Sequence, residues 1–191
     1  MRPGSVDPGR SAAIVIFIQR VSETSQILVG VEGDRVWVRV EGRGSFQNSP
    51  GLRDFARQMM ARGRRTFAID LSGCPVMDST FMGTLAGIAL RLRESGGGTL
   101  EVVRANERNY ELLRNLGLDQ LFTIRAAAGN GGAQAPAAPS LAEAPQDTGD
   151  RQAAARTMLE AHEALVEAAP ENITKFKDVL DYLKQDLKEP L

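Results

Sequence analysis

Between residues 27 and 124, short β-branched runs alternate with amphipathic helical stretches, and only the first two runs follow one another directly. Ile27, Leu28 and Val29 precede, and Val36, Trp37, Val38, Arg39 and Val40 follow, a Gly33-Asp34 pair that reads as a tight hairpin turn. Val36, Val38 and Val40 share one face of their strand and are expected to meet helices. Trp37, Arg39 and Glu41 share the other, and Leu28 is placed with them. Ser49 as cap, Pro50 as first helical residue and Gly63 as terminator bracket a helix whose stripe is Leu52, Phe55, Ala56 and Met59. A strand over 66–71 follows, centred on Phe67, Ala68 and Ile69. The next helix, over 79–93, turns Met82, Leu85, Ala86, Ala89 and Leu92 inward and ends at three glycines, Gly96, Gly97 and Gly98. A strand over 100–103 leads to a helix capped by Asn106, lined by Tyr110, Leu113 and Leu116 and stopped by Gly117. A last strand is expected over 121–124. This order is α/β, with mostly parallel pairing after the first hairpin.

The flanks differ in kind. Residues 1–25 form an N-terminal extension: its start is rich in Pro, Gly and charge and reads as disordered, and stretch 14–18 is apolar enough for a short strand. The domain itself takes residues 26–125. Residues 126–150 are mostly Ala, Gly and Pro, with Leu141 the one large apolar side chain, and read as a linker. Residues 151–191 have helical periodicity on either side of Pro170 and read as a helical hairpin tail. One stripe is Met158, Leu159, His162, Leu165 and Val166; the other is Ile173, Phe176, Val179, Leu180, Leu183 and Leu187. So small a hairpin is not stable alone, and its large apolar residues predict docking on protein. Its own sheet, the sheet of a second copy (a route to a homo-oligomer) and a separate partner are all open to it.

Composition narrows function. Lys+Arg 23 against Asp+Glu 24 leaves a net charge of −1, without the basic excess of a nucleic-acid binder. One cysteine, Cys74, excludes an internal disulfide framework and multi-cysteine metal sites. The one histidine, His162, is the only base a Ser-His or Cys-His pair could use, and it lies far along the chain. No stretch approaches the roughly 20 apolar residues of a membrane span, and the N-terminus lacks a signal-peptide pattern. A cytoplasmic, non-enzymatic protein without cofactor or metal is expected.

The informative stretch is Ile69-Asp70-Leu71, then Met77-Asp78-Ser79-Thr80 opening a helix. Taken alone, Asp, Ser and Thr at that point are what a helix N-cap uses. In its place among the elements, however, the run resembles the STAS domain of anti-sigma factor antagonists. The closing run, Leu113-Arg114-Asn115-Leu116-Gly117-Leu118 with Leu121 and Phe122, resembles that family's last helix and strand. The resemblance implies a STAS-like mixed, mostly parallel sheet with helices packed on one face. It also implies a phosphorylation switch at Ser79, with Thr80 the weaker acceptor. The unphosphorylated form would bind an anti-sigma factor that is also a serine kinase, and a metal-dependent serine phosphatase would reset it. Asp78, Ser79, Thr80, Phe81, Met82 and Ser45 are the implied partner-binding residues. A phosphate of about −1.5 to −2 charge at a helix N-terminus suits the fold and acts on the interface.

Two positions depart from the family pattern. Phe81 stands where a small residue, commonly Gly, follows the serine by two places. Gly42-Arg43-Gly44-Ser45 stands where a Gly-x-x-Asp pattern is usual. A STAS scaffold or ligand-binding subunit of a stress-sensing or lipid-transport complex, not phosphorylated, is the alternative. Cys74 before Pro75 reads as a packed turn residue, Arg62, Arg64 and Arg65 as a solvated helix end, and His162 as a packing or boundary residue.

Overall fold

The computed structural model describes residues 25–127, 142–143 and 151–188. The proposed strand over 14–18 and most of linker 126–150 lie outside the described residues.

β1 (Ser25–Glu32) and β2 (Arg35–Gly42) pair antiparallel around Gly33 and Asp34, with Gly33 at φ +56°. β3 (Thr66–Gly73), β4 (Thr99–Ala105) and β5 (Thr123–Ala126) then add in parallel on the β2 side. A two-residue strand, β6 (Ala142–Glu143), pairs antiparallel with the outer edge of β1, giving the order β5-β4-β3-β2-β1-β6. The linker region thus contributes its own strand to the sheet, and β5 reaches Ala126. β5 also starts two residues later than the sequence suggests. Gly117 takes the left-handed conformation at φ +70°, and a 3-10 turn over Leu118–Gln120 uses up the residues before it.

Helices α1 (Ser49–Ala61), α2 (Ser79–Glu94) and α3 (Glu107–Asn115) cover one face of the sheet. Val36, Val38, Val40, Phe67, Ile69 and Leu71 from the strands meet Leu52, Phe55, Leu85, Leu92 and Leu113 from the helices in one core. Strand alternation puts Trp37, Ala68 and Val103 on the opposite face, in a small cluster of their own. The N-cap of α1 is Asn48 rather than Ser49, and the pair closes the turn by other bonds. The Ser45 amide donates to Asn48 Oδ1 (2.9 Å), and Ser49 Oγ donates to the Ser45 carbonyl (2.9 Å). Arg64 donates to the Gly33 carbonyl (2.6 Å) and Arg65 to the Met60 carbonyl (2.6 Å), so this basic group ties the end of α1 to the hairpin turn.

The tail is a hairpin of α4 (Arg151–Ala168) and α5 (Ile173–Asp186). It docks on its own domain, but on the helical layer rather than on the sheet. Its buried stripe differs from the expected one: Ala155, Thr157, Ala161, His162, Ala164 and Leu165 are buried, whereas Met158, Leu159 and Val166 are only half-buried. The cause is α2, which carries glycine where α4 crosses it. A Cβ at Gly83 would stand 2.2 Å from the Ala161 carbonyl oxygen, and one at Gly87 would lie 3.6 Å from Ala164 Cβ. Helix axes this close need small residues on both sides. The hairpin turn also grips the end of α3. Asn172 Nδ2 donates to the Leu116 and Leu165 carbonyls (both 2.9 Å), and Lys175 Nζ donates to the Asn115 carbonyl (2.8 Å). The Asn115 and Leu116 carbonyls belong to the end of α3, where a helix leaves carbonyls unpaired and a cation is favoured. At the rim, Arg53 donates to Thr157 Oγ1 (2.7 Å) and Arg57 pairs with Glu160 (3.0 Å). These two arginines, Arg91, Glu160, Glu163 and Glu167 help line a cleft of about 320 Å³ between α1, α2 and α4.

Candidate functional site

The site is built where two loops meet at the start of α2. The loop after β2 runs alongside the loop after β3 as a short parallel bridge between Gly44 and Met77. The Gly44 amide donates to the Val76 carbonyl (3.1 Å), and the Asp78 amide donates to the Gly44 carbonyl (3.0 Å). Asp78 then caps α2. Its Oδ1 accepts from the Phe81 amide (2.9 Å), and its Oδ2 accepts from the Phe46 amide (3.0 Å). One carboxylate therefore both starts the helix and fixes the neighbouring loop.

Ser79, the first residue of α2, is half-buried. Its hydroxyl lies 3.0 Å from Nε2 of His162, 83 residues away in sequence, on α4. The other ring nitrogen, Nδ1, is 2.7 Å from the Met158 carbonyl. A carbonyl only accepts, so Nδ1 carries the proton, and in the neutral ring Nε2 accepts from the Ser79 hydroxyl. Phe176 backs the imidazole edge-on, with ring centres 5.1 Å apart. His162 is only 4% exposed while Ser79 is half-buried, and a backbone carbonyl rather than a carboxylate orients the ring. The bond to His162 fixes the orientation of the Ser79 hydroxyl. His162 was legible in the sequence only as a packing residue, and it is more than that.

Thr80 is buried, and its carbonyl accepts from Thr84 Oγ1 (2.9 Å). Phe81 is fully buried and Met82 is 5% exposed; both point into the core, so neither offers surface to a partner in this conformation. The space for Phe81 comes from Gly44: a Cβ there would lie 2.7 Å from Phe81 Cδ1 and 3.0 Å from Met77 Cγ. Phe81, one departure from the family pattern, thus packs against Gly44, next to Ser45, which stands where the pattern has Asp. Ser45 is also buried. Next to it, Phe46 is 42% exposed; a lone apolar residue in a loop has no periodicity by which a sequence could flag it.

Behind the site, Cys74 is 1% exposed, and its carbonyl accepts from Asn106 and Asn109 side chains (3.0 and 2.8 Å). Burial pushes its thiol up from the ordinary value, so it is a turn residue and not a reactive one. A thiol-reactive disulfide reagent should modify native Cys74 at least about tenfold more slowly than the unfolded chain, as absorbance of the released thiolate will report. Equal rates would mean that the turn opens readily.

On the face of the sheet opposite the described helices, Asp70 gathers two arginines across three strands. Arg39 Nε donates to Oδ2 (2.8 Å) and Arg104 Nε to Oδ1 (2.9 Å), and an Arg104 Nη2 bond completes a bidentate pair. Burial alone raises the Asp70 carboxyl. Hydrogen bonds from Arg104, the Ser72 amide and Arg39 outweigh it and hold the group below its ordinary value. Arg104 itself sits at φ +56°, a conformation costly for a side chain with a Cβ and held here by the bidentate pair. Arg35, paired with Glu101 at 2.7 Å, lies over the Trp37 ring at 4.7 Å. None of these partners is signalled by sequence spacing.

No curated protein matches the chain significantly. Among solved structures, an anti-sigma factor antagonist from Mycobacterium paratuberculosis is 22% identical, with a TM-score of 0.47, over 53% of this chain and 86% of that one. The anti-sigma factor antagonist SpoIIAA in its unphosphorylated form is 19% identical, with a TM-score of 0.44, over 56% and 90%. The Bacillus cell fate determinant SpoIIAA in its phosphorylated form is 18% identical, also at 0.44, over 56% and 93%. Residues 27–124 match the family model described as "Mlab, STAS domain". That match spans half of the chain, from the first strand of the sheet to the last parallel one, and the protein belongs to the STAS domain family.

Proposed function

We propose that this protein is an anti-sigma factor antagonist. In its unphosphorylated form it binds an anti-sigma factor that is also a serine kinase, and phosphorylation of Ser79 ends the binding. The observation that carries the reading is the position of Ser79, the first residue of α2 directly after the capping Asp78. There a phosphate meets the free amides and positive end of a helix of 16 residues. The kinase transfers the γ-phosphoryl group of a nucleoside triphosphate to Ser79 Oγ. The bond to the nucleoside diphosphate breaks, the Oγ–P bond forms, and the hydroxyl proton leaves. A metal-dependent serine phosphatase returns the serine by hydrolysis, with release of inorganic phosphate. Thr80, buried as it is, is the poorer acceptor. Asp78 and Ser79 would meet the partner, with exposed Phe46 beside them and with Ser45, Thr80, Phe81 and Met82 shaping the surface from beneath. The protein works in the cytoplasm by binding, not catalysis; no helix among the described residues is long and apolar enough to cross a membrane. Outward-facing Ile173, Val179 and Tyr182 on α5 support a contact between two copies through the hairpin.

The test is a pull-down from native lysate, with mass spectrometry for phosphoserine. Ser79→Ala should hold its partner persistently and Ser79→Asp weakly. Equal recovery of the partner with both variants and the wild type would refute the switch. One observation favours the second reading, a STAS scaffold or ligand-binding subunit in a stress-sensing or lipid-transport complex without phosphorylation: the Ser79 hydroxyl is already engaged by His162. Under that reading the native protein carries no phosphate at Ser79.

A further inference from the structure

Ser79, Gly83 and Gly87 stand at i, i+4 and i+8 on α2, and so lie along one face of the helix. α4 occupies that whole strip. His162 takes the Ser79 hydroxyl, the Ala161 backbone closes on Gly83, and Ala164 lies over Gly87. The acceptor serine is the first position of a surface shaped to receive a helix with small side chains, and the chain fills it with its own tail.

We propose that the C-terminal hairpin is an intramolecular occupant of this face, and that its docking and the phosphorylation of Ser79 exclude each other. The proposal rests on the reading of Ser79 as the acceptor and adds to it the regulation of that serine. Space is the first argument. In the Ser79 rotamer of the docked state, a phosphoryl group on Oγ would meet the imidazole 3.0 Å away. The ring cannot retreat, because Met158 holds Nδ1 and Phe176 backs it. Charge is the second. In the docked state a phosphate would be enclosed beside the Asp78 carboxylate, whereas with α4 lifted it is solvated at a helix N-terminus. The third is rigidity. Backbone contact at Gly83, one turn along, prevents α4 from yielding at His162 alone, so the helix leaves as a unit. Linkage then runs both ways: phosphate expels the hairpin, and the docked hairpin withholds the hydroxyl, hydrogen-bonded to His162, from a kinase.

The test needs no kinase. Full-length chain carrying phosphoserine at position 79, introduced during translation, is compared with unmodified chain by backbone hydrogen exchange. Gly83→Ala, whose methyl meets the Ala161 backbone, supplies the rates of an undocked α4 by a route independent of Ser79. Ser79→Ala, which adds neither bulk nor charge, should keep α4 protected. We expect α4 amides of the phosphorylated chain to exchange at least tenfold faster, approaching those of Gly83→Ala, while β3 and β4 are unchanged. The single histidine should report the same event as a shift of its imidazole resonances to solvent-exposed positions. Rates in α4 within twofold of the unmodified chain would overturn the proposal, since the phosphate would then coexist with docking. Loss of protection in β3 and β4 as well would also overturn it, because the phosphate would be breaking the fold. Either failure leaves the proposed function standing. Absence of phosphate from native Ser79 would defeat that function without altering the exchange result.

Discussion

Phe81→Ala should cost about 3–5 kcal/mol of stability, the range for deleting a fully buried aromatic ring, and lower the melting temperature by about 10 °C or more. The ring is 0% exposed and lies in the main core beside Met77. Collapse around the void is limited because the wall opposite is Gly44, held by backbone bonds to Val76 and Asp78. The converse change, Gly44→Ala, puts a methyl 2.7 Å from Phe81 Cδ1 and should cost about 1–3 kcal/mol through overpacking. The double variant should then be more stable than the two losses added together, because removing the ring removes the clash. Urea titrations of the four proteins measure this coupling. Simple additivity would show that the two residues do not share one space.

The second large effect is at Asp70. Asp70→Ala leaves Arg39 and Arg104 facing a buried void, with one strand residue, Arg104, in a left-handed conformation that has lost its anchor. Breaking a fully buried pair costs about 3–5 kcal/mol. Both arginines keep about a third of their side chains in water, so about 2–4 kcal/mol is the expectation here. The pH dependence has a definite sign. The folded carboxyl lies below its ordinary value of 3.8, so its contribution is complete above about pH 4 and is lost as pH falls through the folded value. The stability gap between wild type and Asp70→Ala should therefore be constant near neutrality and shrink in acid. A gap that widens on acidification would show that the carboxyl is not held ionised by its arginines.

The strands and helices of the sheet domain were legible because each carries its own period. Val36, Val38 and Val40 alternate, and Leu52, Phe55, Ala56 and Met59 repeat every turn; both sets reached the core. Punctuation was legible too: Asn106 caps α3, its side chain accepting from the Asn109 amide at 2.8 Å. The last strand slipped because a left-handed glycine followed by a 3-10 turn has no hydrophobic period. The face of α4 escaped for a chemical reason. A search for large apolar residues overlooks a contact made by Ala161, Ala164, Gly83 and Gly87, where attraction comes from how near the backbones approach. At the site, Asp78 and Ser79 were visible as a cap sequence, but His162 and the arginines around Asp70 are brought in from distant segments, and nothing local predicts such partners.

The small strand β6 bears on how the hairpin behaves once lifted. Because Ala142 and Glu143 are pinned to β1, α4 is tethered from Glu143 and not from the end of β5. At about 3.5 Å per residue, the chain between Glu143 and Arg151 spans at most about 28 Å. A tether that short holds the released hairpin at an effective concentration of about a millimolar or more. A rival helix from another protein would compete with that local concentration as well as with the contacts themselves. Only a partner of high intrinsic affinity, or a covalent change at Ser79, can keep the face of α2 open for long.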